Sequence, residues 1–413
     1  VSIFSYRRFV ALICDPIVAR RSIAAYLFLA AVVVVGFAAS DTSETTAVRR
    51  GDFPAFWSMA VIANGSEPQR LYDIELQRQV QNAAWPSLAG ELLPAAYPAQ
   101  LAFAIQPLAQ LDHRVARCFW TVASLVAACI AVQIFVRMNP RMHWAPWMVL
   151  GVLCVFGPSM RGIIGGQVLS FMMCLFALVV VLGRKSRLWA DILLGVVLGL
   201  WLFKPYYALC VLAVPMLQRR WTALASFATV ALLSWWLGAY VVGVQWVSEW
   251  IAFAQHFAQL NLDTNAHQMP NVWAQVYRLL RKSAVGDGSW WGALVAAYVV
   301  LGAGISVLLG RSSIRTILTR PREYGDLLFF LVPSIVVVAM PQVNFYDLGI
   351  TACAVLALFR PERLGDRCFA GVCIFLSLFS TTPPLGLPLH FFLGLAGLGY
   401  VCFRARERVL IGP

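Results

Sequence analysis

Pro94-Ala95-Ala96-Tyr97-Pro98-Ala99-Gln100-Leu101-Ala102-Phe103-Ala104-Ile105-Gln106-Pro107-Leu108-Ala109-Gln110-Leu111 is apolar enough to pass for a membrane crossing, and how it is read decides the topology of everything after it. Counted as a crossing, it inverts every later loop. Left out, the basic loops that follow share one side of the bilayer, as the positive-inside rule expects. The stretch is therefore read as an outer-face helix or a re-entrant segment.

Composition requires the membrane on either side of it. The chain has 413 residues, 60% of them hydrophobic and 12% charged, with a mean hydropathy of +0.74. That is a polytopic membrane protein with no soluble catalytic domain. The longest polar stretch, 41–98, is too short for a large core of its own, so function must sit at a membrane face. The net charge of +13 lies in short loops between apolar runs, so its partners are membrane lipids and not nucleic acid. The 10 cysteines fall mostly inside apolar runs with no C-x-x-C pair, and indicate neither disulfides nor a metal. Arg7, Arg8, Arg20 and Arg21 precede an apolar run without a convincing cleavage motif, which reads as a retained first helix.

Apolar runs predict about twelve helical spans, near 22–40, 115–136, 146–158, 162–182, 188–203, 206–217, 221–243, 289–309, 325–340, 345–359, 367–380 and 385–403. The chain is expected to be a single all-α membrane domain, 1–413, with both termini in the cytoplasm. Its outer face then carries a first loop, 41–113, and a second, 244–288, with shorter turns near 160–167, 204–205, 340–347 and 381–385. Within the first, 73–85 reads as a short interfacial helix, with Ile74, Leu76, Val80 and Trp85 as its apolar contacts and Gln77, Arg78, Gln79 and Gln81 left polar. Asn64-Gly65-Ser66 fits a glycosylation sequon and is more simply a turn.

The outer loops hold the residues suited to chemistry. Asp52, in Arg49-Arg50-Gly51-Asp52-Phe53-Pro54-Ala55-Phe56-Trp57, stands where a reaction at the bilayer surface needs a base, beside Phe53 and Trp57 whose faces suit a sugar or lipid. The same Asp before Phe-Pro is also how a helix begins. Lys204 is one of three lysines and interrupts two short apolar runs; an ammonium at membrane depth defaults to function, with a lipid phosphate as partner and Tyr206 and Tyr207 as added donors. Snorkelling at a helix end is the plain alternative.

Arg161 and Gln167 flank a turn whose Gly165-Gly166 would let backbone amides approach an anion, or would only allow tight helix packing. His267 suits a phosphate, a sugar hydroxyl or a proton transfer, or is structural. Gln342, Asn344, Tyr346 and Asp347 make a hydroxyl-binding edge, with a helix cap as the alternative reading of Asp347. No Walker sequence, G-x-G-x-x-G in a βαβ pattern, D-x-D or G-x-S-x-G occurs, so an energy-rich substrate must arrive from the membrane.

Several short stretches, in order, resemble the polyprenyl-phosphate-mannose-dependent α-mannosyltransferases of the GT-C class, glycosyltransferase family 87. They are Gly51-Asp52-Phe53 with Phe56-Trp57; Gly65 and Leu71-Tyr72-Asp73; Tyr97-Pro98 and Pro107-Leu108; Gly166-Gln167; Gly195 through Phe203-Lys204-Pro205; Arg219-Arg220-Trp221; and Tyr346-Asp347-Leu348. The family often has a second proline where Ala99 follows Tyr97-Pro98. The resemblance implies a GT-C-like bundle in a bacterial inner membrane and Asp52 as catalytic base. It implies Lys204 and His267 on the donor phosphate, where the turn at Arg161 offers a further cation. Phe53, Trp57, Tyr72, Gln167, Tyr207, Asn344, Tyr346 and Asp347 are the expected substrate contacts. The implied activity is transfer of mannose from a polyprenyl-phosphate sugar donor to a lipid or glycan acceptor at the outer face, with no cofactor. A multispan transporter or lipid flippase is the competing class; it predicts internal repeats, and none is evident.

Overall fold

A computed structural model describes residues 51–88, 90–139, 156–283, 288–360, 362–379 and 388–411. The expected first span, 22–40, and most of the one at 146–158 lie outside these residues. The described chain is helical, without strands.

Its first part makes the surface layer: α1 (Phe53–Asn64), α2 (Ile74–Ala84) and α3 (Ala99–Ile105). The stretch quoted at the outset forms only α3 and a 3-10 turn, Gln106–Gln110. Seven residues of helix rise about 10 Å, a third of what a crossing needs. Gln100 Nε2 donates to the Leu202 carbonyl (3.3 Å), and the Asn64 and Gln106 side chains bond each other's segments. These bonds tie α3 to the layer below it.

The next group is α4 (His113–Met138), α5 (Gly157–Ile164), α6 (Leu169–Gly183), α7 (Leu188–Leu200), α8 (Pro205–Leu217) and α9 (Trp221–Val242). The expected single run at 162–182 is in fact two helices, α5 and α6, bent by 117° at the Gly165-Gly166 turn. Gly166 adopts φ +68° there, which costs a residue with a Cβ but not glycine. Helices α7 and α9 pack closely because Gly195 and Gly199 are one turn apart on α7. A Cβ on either would press into Ser226 or Val230 of α9 at 2.5–2.6 Å. This is the small-residue device that lets membrane helices approach.

The last group is α10 (Trp246–Asn265), α11 (Val272–Ser283), α12 (Gly288–Leu309), α13 (Arg311–Thr319), α14 (Gly325–Ala339), α15 (Leu348–Leu358), α16 (Leu364–Phe379) and α17 (Leu389–Ile411). The second outer loop is thus mainly the helices α10 and α11. In the core, α6 meets α4, α14 and α15, and α17 lies across α14 and α15. Phe176, Phe329, Phe330 and Trp201 are fully buried there.

Among the described residues α4, α9 and residues 291–309 of α12 can each cross a membrane by length and composition, and the bent α5–α6 pair is either a broken span or a re-entrant loop. Five more apolar helices are 10–17 residues long, shorter than a crossing. Large apolar side chains stay outside where lipid would lie, such as Leu232, Trp236 and Tyr240 on α9 and Val295, Val299 and Val307 on α12. The arginine-bearing ends of α6, α8, α15 and α17 are held by ion pairs, including Arg184 and Arg408 on Asp326, Arg220 on Asp191 and Arg360 on Glu407.

Helix α2 corrects an expectation. Gln77 and Gln81 are fully buried and form its inner face. Gln77 donates to the Leu71 carbonyl and accepts from the Ala95 amide; Gln81 exchanges bonds with Leu93 and reaches Ser58. The loop 90–95 has no regular partner strand or helix, so these amides supply the hydrogen bonds that its buried backbone requires.

Candidate active site

Asp52 owes its place to two glycines in different segments. Gly51 turns at φ +56° and lies so close to Gly165 that a Cβ would overlap that backbone. The Asp52 amide then donates to the Gly165 carbonyl at 2.8 Å. The start of α1 is in this way fastened to the bend between α5 and α6. Asp52 occupies the cap position of α1, yet its carboxylate makes no cap bond. The side chain instead faces a cavity lined by Asp52, Tyr97, Lys204, Tyr206, Asn344 and Tyr346, with Phe203, Trp250 and Phe257 among its apolar walls.

Three of those polar groups come from two turns between helices. Lys204 ends the 3-10 turn that follows α7, and Pro205 starts α8, so the chain cannot continue as one helix. Its Nζ lies 2.7 Å from Asp347 Oδ1 and both side chains are buried. Asp347 Oδ2 accepts from the Asn344 amide (3.2 Å), closing the short turn Phe345–Asp347 as a capping box. Asn344 Nδ2 donates to the Tyr346 hydroxyl (2.9 Å), which leaves that hydroxyl's proton for Asp52. The ammonium also stands 5.2 Å from the centre of the Tyr346 ring. Asp347 therefore both caps its turn and pairs with Lys204.

Burial pushes the Asp52 carboxyl up to about 6, against the lowering effects of the Lys204 charge and the Tyr346 hydroxyl. A carboxyl poised there is mostly ionised at neutral pH yet more basic than an ordinary carboxylate, the condition a general base needs. Burial and the Asp52 charge hold the Tyr97 phenol well above its usual range, so it stays a neutral donor.

A second group shares the same turn. The Phe345 ring lies 5.5 Å from the Arg161 guanidinium and 5.2 Å from the ring of His390. His390 is buried, its Nε2 has no partner among the described residues, and Arg161 and His267 are within electrostatic reach of it. No described carboxylate pairs with Arg161. His267 bonds Gln268 at 3.0 Å, and burial together with Arg278 holds its imidazole below the usual range. Among the described residues no three His, Cys, Asp or Glu side chains converge as metal ligands would.

Other expected contacts lie elsewhere. Phe53 is fully buried against Trp85 and Trp120, and Trp57 packs on Trp85 and His113. Both pack into the junction of α1, α2 and α4. Tyr207 is buried in a parallel stack on Trp201, 5.7 Å between centres; of the two tyrosines only Tyr206 reaches the cavity. Tyr72 lies against Phe253 and donates to the Tyr97 carbonyl, so it supports the wall without lining it. Gln167 is buried with no partner for its Oε1. The amides of Gly165, Gly166 and Gln167 donate to the carbonyls of Arg161, Ile163 and Gly162, which leaves none for an anion. Gly165 and Gly166 are packing glycines.

Two residues gained a role that reading in one dimension missed. Tyr97 entered only as half of a Tyr-Pro pair. His390 falls in a predicted span, and an ionisable group at that depth was itself the available signal.

The sequence model of glycosyltransferase family 87 matches residues 95–313, more than half of the chain, and the chain belongs to that family. No curated protein and no solved structure matches it.

Proposed function

We propose that this family 87 glycosyltransferase takes a sugar, mannose by its resemblance, from a polyprenyl-phosphate donor and transfers it to a lipid or glycan acceptor at the periplasmic face of a bacterial inner membrane. The carrying observation is the Asp52 carboxyl, unused as a cap and set in a buried cavity beside the Lys204–Asp347 pair.

In this reading Asp52 removes the proton from the acceptor hydroxyl as its oxygen attacks the anomeric carbon. The bond from that carbon to the phosphate oxygen breaks, and the lipid phosphate leaves with the negative charge. Such base catalysis contributes about 10²–10⁴ in rate. One displacement inverts the centre, so a β-linked donor gives an α-linked product. Tyr97, Tyr206 and Asn344 are placed for sugar hydroxyls.

The cations divide their work. Lys204 already has a carboxylate partner in Asp347, and its positive field also reaches Asp52. Arg161, without a described carboxylate partner, is the better phosphate ligand, with His267 and His390 near it. Preorganised charge aimed at a leaving group is commonly the largest catalytic contribution.

The test is transfer of radiolabelled mannose from polyprenyl-phosphate-mannose to a host lipid extract by purified protein, with Asp52→Asn in parallel. Product from the wild type alone supports donor and base together. Equal transfer by both removes Asp52 from the chemistry. Transfer by neither, across several polyprenyl-phosphate sugars, overturns the donor class.

A further inference from the structure

The Arg219-Arg220-Trp221 motif takes no part in the site above. It lies at the other end of α8, a 13-residue helix and so about 20 Å along its axis from Lys204. There the α6–α7 and α8–α9 turns face each other across a second cavity, with about 900 Å³ of empty space.

The four arginines of its lining, Arg187, Arg219, Arg220 and Arg322, have different duties. Arg220 is a brace: it pairs with Asp191 and donates to the carbonyls of Gly183 (2.9 Å) and Lys185 (2.8 Å). Asp191, the one carboxylate of the lining, is neutralised by it. Arg322 Nε donates to the Gln218 carbonyl at 3.2 Å. Arg187 and Arg219 are exposed, and no described carboxylate pairs with either. Arg219 has φ +55°, the left-handed region, which an arginine occupies only at an energetic cost. With Asp191 cancelled by Arg220, three guanidiniums are left to give the cavity its field.

Two independent features say what would fill it. Gln218 is buried with its Nε2 on the Pro321 carbonyl (2.9 Å), while its Oε1 has no partner among the described residues; it calls for a ligand that also carries a hydrogen-bond donor. Around the mouth, Leu188, Trp189 and Trp221 are exposed, Trp221 to 70%. Lys185 Nζ stands 4.8 Å over the Trp189 ring. Tryptophan beside lysine and arginine at the ends of apolar helices marks the level of lipid headgroups. The starts of α7 and α9 add the positive ends of two helix dipoles.

We propose that this cavity binds the phosphodiester headgroup of an anionic phospholipid with a hydroxyl on its headgroup, in the leaflet opposite the active site. The phosphate sits between Arg187, Arg219 and Arg322, the headgroup hydroxyl donates to Gln218 Oε1, and the acyl chains run along the exposed faces of α7 and α9. The inference does not rest on the transfer reaction, and its test does not read it.

The experiment measures retention of phosphatidylglycerol by the full chain in detergent, by native mass spectrometry and by thermal shift, with phosphatidylcholine and inorganic phosphate as separate arms. The variant is Arg187→Gln with Arg219→Asn, both exposed, asparagine being compatible with the left-handed backbone. The wild type should retain phosphatidylglycerol over phosphatidylcholine, and the double variant should bind it roughly 30-fold more weakly, as expected for two basic residues at an anionic surface. Gln218→Leu should weaken phosphatidylglycerol but not phosphatidic acid, which reads the hydroxyl separately. Unchanged retention in the double variant overturns the proposal. Stabilisation by inorganic phosphate equal to that by the lipid overturns its lipid source and makes the site one for a soluble phosphate.

Discussion

Lys204 Nζ and Asp347 Oδ1, 143 residues apart in sequence, stand 2.7 Å from each other with almost no exposure of either side chain. The contact joins the α7–α8 turn to the turn before α15 and closes the floor of the cavity that holds Asp52. A buried pair of this kind is costly to break on one side only, because the surviving charge is left unpaired.

Lys204→Met alone, or Asp347→Leu alone, should therefore lower stability by roughly 3–5 kcal/mol, and the two together by much less. Thermal unfolding in detergent of the three variants measures this. Transfer should be lost in all of them. Destabilisation by the double variant equal to the sum of the two single variants would show that the pair is not energetically coupled.

Asp52 makes a prediction with a sign. Its carboxyl is raised from 3.8 to about 6, so the folded state holds its proton more tightly than the unfolded state does. The stability this contributes is complete below about pH 4 and is lost as pH rises through about 6. Asp52→Asn should escape the loss and be more stable near pH 8, by on the order of 3 kcal/mol, while transfer falls about 10²–10⁴-fold. Wild-type transfer should rise with pH to a plateau, with its midpoint near 6. A flat profile between pH 5 and 8 would rule out Asp52 as the titrating base.

Gly51→Ala should disable the enzyme without touching a polar group. It meets the Gly165 backbone and must hold φ +56°, so the Asp52 amide should lose its bond to Gly165. Gly65→Ala, which would meet only ordinary contacts of 3.4 Å at the other end of α1, is the control. Comparison of kcat and of expression for the two variants checks the point.

Gln77→Leu and Gln81→Leu should each cost about 1–3 kcal/mol, since each leaves backbone groups of the buried 90–95 loop without partners. Limited proteolysis in that loop should accelerate before global unfolding does.

Much of the fold was legible in the chain. Hydropathy and the spacing of basic loops placed most helices near their observed ends, for example 206–217 against Pro205–Leu217 and 221–243 against Trp221–Val242, because solvation in a bilayer acts on composition over windows of that length. The turn at Gly165-Gly166 was legible, but its docking against α1 and the inner face of α2 were not. Both depend on a surface from elsewhere in the chain: Gly51 and Phe53 in one case, the 90–95 loop in the other. An amide on a helix reads as polar until the backbone it serves is known.

The site divides in the same way. By itself the sequence determined that a carboxylate and a rare lysine stand beside apolar runs, since charge at that depth is too costly to be incidental. Only the tertiary structure decided that they share a cavity, that Lys204 comes already paired with Asp347, and that Phe53, Trp57 and Tyr207 belong to the packing. The physical reason is that a residue's cost or use is fixed by its neighbours in space. Residues 52, 97, 204 and 347 become neighbours only when the turns between helices meet.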